Sequence, residues 1–208
     1  MRKEKLTELQ GYIRELSIKN KQLLEKEFVL KEGKLVEKPG FIRVEKYNCE
    51  LENGITIPRE KIVKGGKDGN AAVILPITKE GNTILVVQPR VFTKQTVCVE
   101  LPAGYVEDQE DPMIAGKREL LEETGYLPEH MHLLASYYQD QGCSAAYNYS
   151  FLATGCKKVQ DQQLDKDEFI RYFECQYEEA LELMDTGYIT DIQSQYTLEK
   201  SKTYMKRK

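Results

Sequence analysis

The stretch Gly104–Tyr126, G-Y-V-E-D-Q-E-D-P-M-I-A-G-K-R-E-L-L-E-E-T-G-Y, places the tightest constraint on this chain. Asp111 is a good helix N-cap, and Pro112 stands at the first helical position, where its missing N–H costs nothing. The helix they open is expected to run to about Thr124, with Gly125 ending it as a left-handed residue. Glu119, Glu122 and Glu123 fall at i, i+3 and i+4 and so share one face. Carboxylates that close repel by roughly a few tenths of a kcal/mol per pair even when exposed. Arg118 relieves part of this toward Glu122. A hard divalent cation relieves more, because Mg²⁺ prefers oxygen ligands of this kind. Just upstream, Glu100-Leu101-Pro102-Ala103-Gly104 reads as a strand end entering a loop. Gly104 lets the backbone approach a ligand closely, and the Ala103 carbonyl would then face the same cation. A solvated acidic helix after a turn would account for the charges, but for neither the glycine spacing nor the Arg-Glu pair.

Read as Gly, five residues, Glu, seven residues, Arg-Glu, an apolar residue, any, Glu-Glu, any, Gly, the stretch resembles the Nudix box. The fixed places are Gly104, Glu110, Arg118, Glu119, Leu120, Glu122, Glu123 and Gly125, with Tyr126 in a final place that is usually aliphatic. The resemblance spans roughly 70–196. It implies an α/β fold, an α/β/α sandwich with a mixed sheet, whose box helix carries metal ligands. It also implies an enzyme that hydrolyses a nucleoside diphosphate linked to another moiety, with Mg²⁺ or Mn²⁺ as cofactor. Carried over by position, Ala103, Glu119, Glu122 and Glu123 would hold the metal. Glu122, Arg118 and Glu168 would form the catalytic set, with Arg118 also paired to Glu110. Gly104, Glu110 and Gly125 would be structural.

The text around the box resembles one branch, the ADP-ribose and nucleoside-diphosphate-sugar pyrophosphatases. Gln88-Pro89-Arg90 is similar to its Q-x-R, where the arginine meets substrate phosphate; a surface arginine ending a strand is the plain alternative. Glu100–Gly104 is similar to its E-L-P-A-G approach. Asp167-Glu168-Phe169-Ile170 is similar to its late acidic loop, where a glutamate joins the metal or acts as base. Asp165 and Asp167 are the neighbouring candidates, and an ordinary solvated loop is the alternative. Substrate contacts would come from Arg90, Glu100, Gln141 and Gly142. ADP-ribose-preferring members often carry Tyr-x-Ser-Pro-Gly after the box, whereas this chain reads Tyr138-Gln139-Asp140-Gln141-Gly142. ADP-ribose is the leading substrate, and Gln141 in place of proline makes another sugar or base the alternative.

Two domains are expected: residues 1–66, a helix and a β-hairpin serving dimerisation, and residues 67–208, the Nudix-like domain. Leu6, Leu9, Ile13, Leu16, Asn20 and Leu23 alternate by three and four, an a/d seam with Asn20 at one a position. That pattern suits either a paired helix or one folded back on its own domain. Asn53-Gly54 between the strand-like runs 41–51 and 55–63 is a hairpin signal. Strands are further expected at 71–77, 83–88, 96–101, 131–138, 145–153 and 169–175, with helices at 177–185 and 189–196. Net charge is −4, which argues against broad nucleic-acid binding. Lys200–Lys208 reads as a solvated basic tail. The five scattered cysteines form no C-x-x-C, so neither a zinc site nor a disulfide framework is indicated. Cys98 and Cys175 should be buried, and Cys143 lies in a loop. With no apolar run of spanning length and a charged start, the expected compartment is the cytoplasm, with no membrane partner.

Two rival readings remain. One is a Nudix-like hydrolase for dinucleoside polyphosphates or damaged nucleoside triphosphates, against which the E-L-P-A-G approach and the hairpin argue. The other is a non-catalytic nucleotide-sugar sensor, which has no need of an intact Glu119, Glu122 and Glu123 cluster.

Overall fold

The computed structural model describes residues 40–205, together with Gln22 alone. The Leu6–Leu23 seam lies outside the described residues. The hairpin forms as its turn signal predicts: β1 (Ile42–Glu50) pairs antiparallel with β2 (Thr56–Lys64), in register from Ile42 against Lys64 to Glu50 against Thr56. Gly54 in the turn has φ of 80°, which suits glycine.

A second, eight-stranded sheet carries the rest. Its strands are β3 (Ala71–Thr78), β4 (Asn82–Arg90), β5 (Thr96–Glu100), β6 (Ala103–Tyr105), β7 (Tyr126–Leu127), β8 (His130–Tyr138), β9 (Tyr147–Lys158) and β10 (Arg171–Gln176). β3 and β9 pair parallel at the centre, and the remaining pairings are antiparallel, so the sheet is mixed. Every residue of β3 is buried, as a strand covered on both faces requires. Its alternation sorts the layers. Ile74, with Ile84 of β4, packs beside Leu120 of α1 (Pro112–Thr124). Val73 and Leu75, with Leu85 and Val87, join Leu183 of α2 (Tyr177–Asp185) and Leu198 of α3 (Ile192–Met205). Helices thus cover both faces, the α/β/α sandwich.

Three local expectations are corrected. The E-L-P-A-G approach does not stay a loop: Ala103–Tyr105 is a short strand against β3. The last helix begins at Ile192 rather than Ile189, because Ile189 is buried as apolar core and Asp191 caps the helix. That helix also absorbs Lys200 to Met205, expected as tail. Ser201 is buried and bonds the Tyr177 hydroxyl at 2.7 Å, which holds the turn against α2.

Candidate active site

The box helix starts and stops for the reasons its sequence suggests. The Asp111 carboxylate accepts the Met113 and Ile114 N–H groups at 2.8 and 3.4 Å. Gly125 has φ of 78° and donates to the Leu121 carbonyl at 2.8 Å. A Cβ on Gly125 would lie 2.1 Å from the Gln160 carbonyl oxygen, so glycine is required twice over. The last turn of α1 is also tied to the acidic loop. Gly125 O accepts the Val159 N–H at 2.9 Å, and Glu122 O accepts the Gln163 N–H at 2.9 Å. These bonds occupy carbonyls that a helix end leaves unpaired, and they hold the loop beside the acidic face.

Arg118 is the hub of that face. It grips Glu110 with two bonds of 3.0 and 2.9 Å, and reaches Glu119 Oε1 at 2.8 Å, Glu122 Oε2 at 3.1 Å and the Tyr105 carbonyl at 3.0 Å. Glu123 is only 3% exposed and accepts the Ala103 N–H at 3.1 Å. Burial pushes the Glu119 carboxyl up to about 7, against the pull of Arg118, and pushes Glu123 well above the usual range, with Glu119 adding to it. A Cβ on Gly104 would lie 1.9 Å from the Glu119 carboxyl carbon. Glycine there gives Glu119 its place.

The donor set fits a hard cation. One guanidinium serves three carboxylates and leaves Glu123 with a backbone N–H, so the acidic groups outnumber the cationic partners beside them. As the side chains lie, no three acidic groups among the described residues converge on one point. Glu119 and Glu122 turn to Arg118, and Glu123 turns to Ala103.

These groups line a cavity of about 690 Å³, with Glu119, Glu122, Glu123 and Glu168 joined by Arg90, Gln88 and Lys64. Arg90 is not a loose surface arginine. Its Nε and Nη2 bond both oxygens of Glu100 at 2.8 and 2.7 Å, and Gln88 adds a bond of 3.1 Å. Glu100 is itself buried and does not line the cavity; it grips Arg90 from behind. Glu168 and Asp165 both line the cavity, and Glu168 accepts the Asp165 N–H at 2.9 Å. Asp167 does not line it.

Gln141 and Gly142, expected as substrate contacts, do not line the cavity. They sit in a turn closed by Asp140, with the Gly142 N–H on its carboxylate at 3.2 Å. The Cys143 carbonyl at the end of that turn accepts the Ile62 N–H of the hairpin at 2.7 Å. Gln139 lines the cavity instead, with Gln193 from α3. Neither they nor Lys64 stood out in the sequence, since each owes its place to a contact between distant segments. Lys64 also carries the cavity wall across the expected boundary at residue 66. The Cys143 thiol is raised by its bond to Asp140, which keeps it from ready thiolate chemistry.

A sandwich of this topology, with an acidic helix edging a cavity that also holds an arginine, defines a hydrolase of diphosphate compounds. Residues 67–193 match the NUDIX domain, and the chain belongs to the Nudix family. It is 33% identical over 153 residues to the ADP-ribose pyrophosphatase of Bacillus subtilis (strain 168), covering 73% of this chain and 80% of that one. It is 34% identical over 151 residues to the methanol dehydrogenase activator of Bacillus methanolicus, covering 72% and 79%. A solved structure described as an ADP compounds hydrolase shares the fold, with a TM-score of 0.70 over 84% of this chain and 91% of its own, at 17% identity.

Proposed function

We propose that this Nudix pyrophosphohydrolase cleaves the diphosphate of nucleoside diphosphate sugars, with ADP-ribose the leading substrate, giving AMP and ribose 5-phosphate. The observation that carries this is a single cavity lined by both the acidic helix face and Arg90. A diphosphate needs both: cation ligands on one side and a cationic fork on another. The Bacillus subtilis relative, an ADP-ribose pyrophosphatase by name, points to the same substrate.

Glu119, Glu122, Glu123 and the Ala103 backbone would hold Mg²⁺ or Mn²⁺, which supplies charge neutralisation and activation of water. Arg90 binds a phosphate oxygen while Glu100 fixes its plane. Glu168, with Asp165 in reserve, takes the proton of the attacking water or adds a ligand, as a carboxylate within reach of that water can. Arg118 orients Glu119 and Glu122 through its anchor on Glu110. Water adds to one phosphorus, the bridging P–O bond breaks, and the two phosphate monoesters leave. The enzyme acts in the cytoplasm as a homodimer, paired through residues 1–66. Among the described residues no helix is long and apolar enough to cross a membrane.

The test is a panel of nucleoside diphosphate sugars, dinucleoside polyphosphates and nucleoside triphosphates, with Mg²⁺ and products identified by mass. Two monophosphate products from ADP-ribose support the reading. Turnover confined to triphosphates or dinucleoside polyphosphates overturns the substrate. No turnover at all favours a sensor.

A further inference from the structure

Gln139, just past β8, and Gln193, in the first turn of α3, line the same cavity as Arg90 and the carboxylates. Gln193 Nε2 donates to Gln139 Oε1 at 2.9 Å, and Asn148 Nδ2 donates to that same oxygen at 3.3 Å. Asn148 is fully buried, and its Oδ1 accepts the Ala71 backbone N–H at 3.0 Å.

A backbone N–H can only donate, so Ala71 fixes which way the Asn148 amide points: oxygen to Ala71, nitrogen to Gln139. Gln139 must then turn its oxygen to Asn148, and Gln193 must present its nitrogen to Gln139. One buried backbone donor thus sets three amides in a row. Left over are the Gln139 side-chain NH₂, a donor, and the Gln193 side-chain carbonyl, an acceptor, and neither has a partner among the described residues. Gln193 is also well anchored. Asp191 caps α3 by accepting the Ser194 N–H at 2.8 Å, and Ser194 Oγ accepts the Leu101 N–H at 2.8 Å.

We infer that Gln139 and Gln193 form a donor–acceptor pair that binds sugar hydroxyls of the substrate and sets which sugar the enzyme prefers; this rests on the nucleoside-diphosphate-sugar reading above. Neither side chain is charged, so the pair does not compete with Arg90 for phosphate. Hydroxyls both donate and accept, and two on neighbouring carbons satisfy an amide N–H and an amide C=O together. A nucleobase is held chiefly by stacking, and the rings suited to that, Phe41, Tyr105 and Tyr149, line the adjoining hollow of about 760 Å³. A sugar that misplaces a hydroxyl leaves one member of the pair unsatisfied, which is where discrimination arises.

The experiment uses the full chain with Mg²⁺ and three substrates: ADP-ribose, ADP-glucose and GDP-glucose. The first two differ in the sugar and in the carbon that carries the diphosphate, and the last two in base. Gln139→Leu and Gln193→Met remove the donor and the acceptor with little change of volume, and melting midpoints show whether each variant is folded. In either variant the ratio of kcat/KM for ADP-ribose to that for ADP-glucose should move about fivefold to tenfold, the size of one net hydrogen bond. The change should fall mainly on KM, while the ADP-glucose to GDP-glucose ratio holds. An equal loss on both sugars, no change, or a shift confined to the base ratio overturns the inference while leaving the proposed function standing. A wild type that turns over none of the three overturns both.

Discussion

Glu119 and Glu123 are carboxylates that burial holds toward their neutral forms, and a cation must ionise them to use them. The Glu119 carboxyl, pushed up to about 7, would release its proton on becoming the metal ligand proposed above. Mg²⁺ affinity should therefore rise with pH between about 6 and 8. Calorimetry in buffers of different ionisation enthalpy would show the proton released; a flat affinity between pH 6 and 8 would contradict the assignment. Glu122→Gln and Glu123→Gln should each lower kcat by roughly two orders of magnitude or more through loss of a metal ligand. The Glu123 variant should keep or slightly raise the melting midpoint without Mg²⁺. Its Oε1 still accepts the Ala103 N–H, and a buried acid with a raised folded pKa costs stability when ionised at neutral pH. Near-wild-type turnover in both variants would remove these residues from the metal site. At this scale the box glutamates were legible because helical spacing is local. The grip of Glu100 on Arg90 was not, since it depends on β4 lying beside β5 with Gln88 opposite Cys98 and Arg90 opposite Thr96. The orientation of Gln139 was still further out of reach, because its Gln193 partner is 54 residues away.

Elements in this molecule end where their backbone groups find partners, and α3 shows what that does to the site. Asp191 accepts the Ser194 N–H, and its other oxygen is buried without a hydrogen-bond partner among the described residues. Burial, reinforced by Glu100, pushes its carboxyl up to about 6, with Arg90 and the Ser194 bonds pulling the other way. The folded pKa lies above the unfolded value near 4, so the folded state holds the proton longer. Stability should therefore fall as pH rises from about 4 to about 6 and level off beyond, by an amount on the order of 3 kcal/mol. Asp191→Asn keeps the cap, since asparagine caps as well as aspartate. It should flatten that part of the profile and raise the midpoint at pH 7.5. Denaturant melts from pH 4 to pH 8 would check this, and an unchanged slope would show that another group carries it. The start of α3 was misread because Ile189 and Tyr188 continue an apolar pattern into a segment that serves as core rather than helix. The hairpin and the box helix were legible because Asn53-Gly54, Asp111-Pro112 and Gly125 are local chemical instructions. β6 was missed because three residues carry too little periodicity to declare a strand.

Across the whole molecule, the two sheets meet sparingly. The Ile62–Cys143 bond and the buried Val63 fasten the hairpin to the larger sheet, while Phe41, Ile42, Val44 and Tyr47 stay 45–60% exposed. A two-stranded ribbon is marginal alone, and exposed apolar side chains of this kind are typical of interaction surfaces. Lys64 and Gly69 line both the cavity and the adjoining hollow, so whatever covers the ribbon also shapes the entrance to the site. A second copy of the chain is the occupant we propose, as residues 1–66 were expected to provide. Removing the hairpin would also remove Lys64 and unseat the turn at Cys143, so truncation cannot separate assembly from catalysis. The paired substitution Ile42→Asp with Val44→Asp can, because both side chains are exposed and lie on one face of β1. Sedimentation at micromolar concentration should show a dimer for the wild type and a monomer for this variant, with melting of the larger domain moved by only a few degrees. KM should rise severalfold if the neighbouring ribbon completes the hollow around Tyr105, and stay level if it does not. A monomeric wild type, or a variant that remains dimeric, would exclude the ribbon as the contact.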